Sequence, residues 1–175
     1  MRFVVQSGCL VALLAVAACG GEPPPAPMAA VGLSGAVAQA GPTFSFDSLD
    51  ARPVSSDAFA GKTSVVSFVT TWDIASQAQV SYLVKMAGRD GARVNYAIVA
   101  VQEPGARELV EQYARVMRVT FPVAMGDAAL LAGTGPLGEL KDVPTTLIID
   151  ASGRLVFRQS GVLRSDELRA HMPRD

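Results

Sequence analysis

The chain has 175 residues, half of them apolar, with 15 Lys or Arg against 16 Asp or Glu for a formal net charge of -1. That leaves room for one domain with a sizeable core plus accessory segments. No Lys/Arg cluster interleaved with aromatics occurs, which argues against a nucleic-acid partner, and the two cysteines, Cys9 and Cys19, lie too near the N-terminus to build a disulfide inside a folded domain.

Taken in chain order, Arg2 precedes an apolar run over residues 9–18 that is too short to span a bilayer and reads as the core of a signal peptide. The small residues Val16-Ala17-Ala18 before Cys19 resemble a bacterial lipobox, which implies a signal peptide over 1–18 and lipidation of Cys19; the competing reading is an ordinary signal peptide with an incidental Cys. Gly20 rather than Asp after that Cys implies, by the same resemblance, sorting to the outer membrane and a domain facing the periplasm. Residues 19–41 have the Pro, Gly and Ala composition of a lipid-anchored flexible linker, with a short helix over 28–40 as the alternative. Such a coil would reach roughly 25 Å. A folded domain is expected over 42–175.

In that domain Phe44-Ser45-Phe46 alternates as a strand, 47–50 carries turn residues, and Arg52-Pro53-Val54 returns as a second hairpin arm. Ser55-Ser56-Asp57 caps one short helical turn ending at Gly61. The apolar run 65–69 predicts a buried strand, which gives way after Trp72 to a helix with Val80, Leu83, Val84 and Ala87 on one face, ending at Gly88 or Gly91. A second buried strand is expected over 94–101. Pro104 then starts a helix whose Leu109, Val110, Tyr113, Val116 and Met117 share a face. This strand-helix-strand-helix order predicts a parallel core sheet and an α/β fold. Phe121-Pro122-Val123 and a short helix over 128–131 follow. Pro144 opens the apolar run 145–149, where a strand tolerates proline because no ladder bond is lost. A turn at 151–154, an antiparallel strand over 155–159, and a last helix capped by Ser165-Asp166-Glu167 and bearing Leu168 and Met172 complete the chain.

Two stretches carry a resemblance. Ser67-Phe68-Val69-Thr70-Thr71-Trp72-Asp73-Ile74-Ala75-Ser76 resembles the active-site turn of thioredoxin-like proteins, in particular the membrane-anchored TlpA-type thiol-disulfide oxidoreductases of the redoxin group, with the pattern F-W-A-T-W-C-x-x-C-R-x-E. Val143-Pro144-Thr145-Thr146-Leu147-Ile148-Ile149-Asp150 resembles the cis-proline loop that faces that turn. The N-terminal hairpin with Gly61-Lys62, and Phe121-Pro122-Val123 with Asp127, also look like the TlpA and peroxiredoxin branch. The resemblance implies a thioredoxin-like mixed sheet flanked by helices with an N-terminal β-hairpin, and a cis Val143-Pro144 bond.

Carried over residue by residue, the two cysteine positions fall on Asp73 and Ser76, and the family's proton-handling acid falls on Gln79. Thiol-disulfide exchange needs a thiolate and a resolving thiol, and neither Asp73 nor Ser76 supplies one. Asp73 instead reads as the cap of the following helix, accepting from the free amide of Ser76. No catalytic residue is therefore expected to be intact. No cofactor, metal or nucleic acid is expected either: a copper site of the related Sco type needs two Cys and a His, and the only His, His171, reads as an exposed residue of the last helix. Gly133-Thr134-Gly135 does not open a helix after a strand and is not a phosphate loop. The resemblance assigns the family's polypeptide-holding positions to Trp72, Val143, Pro144 and Thr145. The sequence thus points to a redox-inactive envelope lipoprotein that binds an extracytoplasmic protein or peptide. The alternatives are a family member with residual or cofactor-dependent redox activity and a purely structural envelope protein.

Overall fold

The computed structural model describes residues 41–173. The expected signal peptide, the Cys19 anchor and the linker with its alternative helix lie outside the described residues, Gly41 excepted. Seven strands and five α-helices follow one another: β1 Ser45–Ser48, β2 Val54–Ser55, α1 Ser56–Phe59, β3 Ser64–Val69, α2 Ile74–Asp90, β4 Asn95–Ala100, α3 Arg107–Val116, β5 Val123–Met125, α4 Ala128–Leu131, β6 Thr145–Ile149, β7 Leu155–Ser160 and α5 Ser165–His171. Short 3-10 turns at Gly91–Arg93 and Pro104–Ala106 link α2 to β4 and lead into α3. Among the described residues no helix is long and apolar enough to cross a membrane.

The strands form one mixed sheet in the order β2-β1-β5-β4-β3-β6-β7. β3, β4 and β5 are parallel, as the strand-helix alternation predicts, while β1, β6 and β7 add antiparallel neighbours. Strands in the middle of such a sheet are covered on both faces, which is why β3 and β6 carry only apolar, β-branched or small residues: every residue of both is buried. On one face Val65, Val69, Ile98 and Ile148 pack under α2, α3 and α5 through Val80, Leu83, Met86, Tyr113 and Leu168. On the other, Val66, Phe68, Val99 and Leu147 meet Phe44, Phe46, Phe59, Leu130 and Leu137. Each fully buried aliphatic or Phe side chain contributes about 1.5–3 kcal/mol.

The structure moves several expected boundaries. β1 continues through Asp47 and Ser48, read above as turn residues, because these two pair with Met125 and Ala124 of β5. In α3 only Val110 and Tyr113 are buried, with Met117 packed at the margin; Leu109 is 51% and Val116 79% exposed, so the shared face is narrower than its apolar residues suggest. Ser165 is the first residue of α5 rather than its cap, and the helix start is closed by Glu167 Oε2, which accepts the Arg164 N–H at 2.7 Å. α2 ends at Gly91, whose φ of 57° and ψ of -134° suit a residue without a Cβ. Its carboxyl-terminal Asp90 is buried, accepts the Tyr96 hydroxyl at 2.5 Å and meets Arg169 at 3.1 Å, tying α2, β4 and α5 together. The β1–β2 hairpin, the short α1 with Ser55 accepting from the Ala58 N–H, and α4 with Asp127 accepting from the Leu130 N–H fall where the sequence places them.

Candidate functional site

β3 and β4 both run out at the same end of the sheet, where α2 and α3 begin, and that end carries the turn at residues 70–73. Antiparallel pairing sets Phe68 of β3 opposite Thr145 of β6, so the residues after Phe68 run past those before Thr145. The Val143-Pro144 peptide bond is cis. The turn carrying Trp72 therefore follows Phe68, and the cis-proline segment precedes the residue that pairs with Phe68.

Asp73 occupies the N-cap of α2 with extended backbone, and its carboxylate accepts the N–H groups of Ala75 at 3.2 Å and Ser76 at 2.8 Å. Its carboxyl lies below the usual carboxylate range, first because of the Ser76 hydroxyl beside it and then because of these amides. Ser76 is fully buried, and its Oγ accepts the Thr70 N–H at 3.2 Å. Gln79, expected only as an amide in place of an acid, is fully buried on the core face of α2, and its Oε1 accepts the Leu163 N–H at 2.7 Å.

On the cis-proline side Val143 is half-buried, and its main-chain N–H and C=O make no hydrogen bond among the described residues. Pro144 and Thr145 are buried. The Pro144 carbonyl accepts the Gly161 N–H at 2.8 Å, while Thr145 Oγ1 lies 2.6 Å from the Asp142 carbonyl and 2.8 Å from Ser160 Oγ. Gly161 has a φ of 94°, a conformation that favours glycine. Of the four positions assigned from the sequence, Trp72 is exposed, Val143 is half-buried, and Pro144 and Thr145 are buried.

Sequence reasoning missed three contributors. Ile74, 82% exposed beside Trp72 at 68%, extends the apolar surface; the available signal was its place opposite the Ser76, Val80 and Leu83 stripe of α2. Gln102, just past β4, accepts the Thr71 N–H through Oε1 at 3.0 Å and steadies the turn from the other side. Tyr113 of α3 is buried, and burial first and the Asp73 charge second push its hydroxyl up to about 12. Thr70 Oγ1, Gln79 Nε2, Gln102 Nε2 and the Tyr113 hydroxyl are all buried without a hydrogen-bond partner. Nothing in one-dimensional periodicity marks such groups. His171 is exposed and stacks on Phe157 with 3.9 Å between ring centroids. Among the described residues no group of three or more His, Cys, Asp or Glu could hold a metal ion.

Comparison of the coordinates decides the fold. The chain is similar to a thiol:disulfide interchange protein of the thioredoxin family from Chlorobium tepidum, with a TM-score of 0.63 at 24% identity over 75% of this chain and 91% of that one. The fold is thioredoxin-like. A DsbF homologue from Corynebacterium diphtheriae matches the thioredoxin-like domain with a TM-score of 0.65 at 14% identity, over 74% of this chain and 82% of its own. A secreted Mycobacterium tuberculosis disulfide oxidoreductase homologous to Escherichia coli DsbE gives 0.61 at 16% identity, over 74% and 93%. No protein-family model matches the chain, and no curated protein matches it in sequence.

The cap makes an acid-sensitivity prediction. Asp73 and Asp150 both titrate below the ordinary value of 3.8, Asp150 at about 2 with the Ser152 hydroxyl as first cause. A depressed folded-state pKa contributes stability that is present above the unfolded value and lost as pH falls through the folded one. The urea midpoint should therefore drop as pH is lowered from about 4 towards 2. Asp73→Asn, which keeps a capping oxygen but not the charge, should show a shallower drop; an identical pH profile in the two proteins would remove Asp73 from this account.

Proposed function

We propose that the protein is a redox-inactive thioredoxin-like lipoprotein of the bacterial cell envelope that binds an extracytoplasmic protein or peptide along the Trp72 and cis-Pro144 groove. The observation that carries this reading is the Val143 main chain, which makes no hydrogen bond among the described residues, together with exposed Trp72 and Ile74 just after the strand that pairs with β6. An extended segment laid there would gain main-chain hydrogen bonds, which give affinity without any thiol, while apolar side chains settle on the indole. Redox inactivity follows from the thiol inventory: Cys9 and Cys19 are the only cysteines, and Asp73 and Ser76 stand where the TlpA-type pattern has its pair. Acylation of Cys19 would tether the domain to the membrane, here assigned to the outer membrane with the domain in the periplasm. The secreted disulfide oxidoreductase among the structural neighbours is in keeping with an extracytoplasmic location.

The test is binding of a dye-labelled, unfolded and thiol-blocked polypeptide such as carboxymethylated α-lactalbumin. Wild-type protein should raise its fluorescence anisotropy saturably, and Trp72→Ala should weaken that binding at least ten-fold, in line with the roughly 2 kcal/mol or more that truncating a central aromatic anchor costs. Equal binding by both proteins would sink the groove assignment. Catalysis of insulin reduction by dithiothreitol would sink the redox-inactive reading, and turnover that depends on an added cofactor would support the oxidoreductase alternative.

A further inference from the structure

The Gln79 side chain makes one hydrogen bond among the described residues, and that bond spans 84 residues of chain: Oε1 accepts the N–H of Leu163 at 2.7 Å, with both residues buried. Only the oxygen of the amide can meet an N–H, so the orientation of the side chain is settled, and Nε2 is the atom left without a partner. Leaving a buried donor unpaired is unfavourable. The acceptor is therefore the part of this side chain that the fold uses.

Residues 160–163 do more than lead into α5. Ser160 Oγ lies 2.8 Å from Thr145 Oγ1, and the Gly161 N–H donates to the Pro144 carbonyl at 2.8 Å. The ladder between β3 and β6 ends at Phe68 and Thr145, so it does not reach the cis-proline loop itself. The loop takes its position from 160–161, and two residues further on Leu163 is held by Gln79 of the helix whose N-terminal turn carries Trp72.

We propose that Gln79 is the positioning residue of the groove, setting the cis-proline wall against the Trp72 wall through Leu163 and Gly161. This rests on the groove being the binding surface, yet the coupling has a readout that needs no ligand. It assigns to the amide oxygen a task for which no titration is needed, so Gln79 acts through an acceptor rather than a charge.

Amide hydrogen exchange in the 15N-labelled full chain tests it. Gln79→Met keeps the length and apolar stem but offers the N–H no comparable acceptor. Exchange at Leu163 and at Gly161 should speed up ten-fold or more, with Ile98 and Leu147 of the core strands unchanged. Gln79→Glu, which keeps an oxygen for Leu163, should restore most of the protection at Gly161, and affinity for carboxymethylated α-lactalbumin should fall at least five-fold in the Met variant and recover in the Glu variant. Should Gln79→Met fail to fold, Gln79→Asn, which draws the oxygen back by one methylene, gives the same readouts. Gly161 remaining protected while Leu163 opens would overturn the proposal. Absence of polypeptide binding by the wild type would remove the functional reading, while the Gly161 result would still decide the coupling.

Discussion

The double variant Asp73→Cys with Ser76→Cys should form a disulfide that dithiothreitol reduces, and should reduce insulin where the wild-type protein does not. The two positions are the N-cap and the third residue of α2, and three residues along a helical turn bring Cα atoms to within about 5–6 Å, inside the disulfide range. A sulfur at position 73 would inherit the environment that now holds the Asp73 carboxylate, with the N–H groups of residues 75 and 76 and the positive end of the helix favouring the thiolate. A sulfur at position 76 would be sheltered, since Ser76 is fully buried, leaving the outer one open to attack. The change removes a cap worth about 1 kcal/mol and the Ser76 contact to the Thr70 N–H, so the variant should unfold earlier yet remain folded. A folded variant that stays dithiol under oxidised glutathione would show that the turn lacks the thioredoxin-like frame assigned to it.

Phe68→Ala should be the most destabilising single change near the site, costing about 3–5 kcal/mol. Phe68 is fully buried and packs edge-on against Phe46 with ring centroids 6.0 Å apart, so truncation opens a cavity between β3 and the N-terminal hairpin. Domains of this size are stable by about 5–15 kcal/mol, so the loss should be plain in the urea midpoint. Because Phe68 also pairs with Thr145, polypeptide binding should weaken along with stability. Trp72→Ala, by contrast, removes a side chain that is 68% exposed and should leave the midpoint nearly unchanged. A midpoint shift for Phe68→Ala as small as that for Trp72→Ala would contradict the packing described.

The elements best read from the sequence are those whose environment is uniform along their length. β3, β4 and β6 are buried throughout or nearly so and therefore announce themselves as apolar runs, and Asp73 sits where a cap is required. The cis Val143-Pro144 bond was legible through the resemblance rather than through local propensity. Elements at the margins were harder. Asp47 and Ser48 look like turn residues until β5 pairs with them, and Leu109 and Val116 widen an apolar stripe that the core covers only in part. β7 lies at the sheet edge with most of its residues exposed, and the antiparallel strand expected over 155–159 is found at Leu155–Ser160.

What the sequence determined by itself is the alternation of strands and helices, the capped turn after β3, and a domain with no thiol at the positions where its resemblance calls for two. These follow from short-range chemistry: hydrophobic period, caps and residue identity. Tertiary structure alone decided that Ile74 is exposed, that Gln102 meets the Thr71 N–H, and that the Gln79 oxygen meets Leu163. Those contacts join residues far apart in the chain, and their geometry exists only once β3 has been laid between β4 and β6 and the segment after β7 has come back against α2.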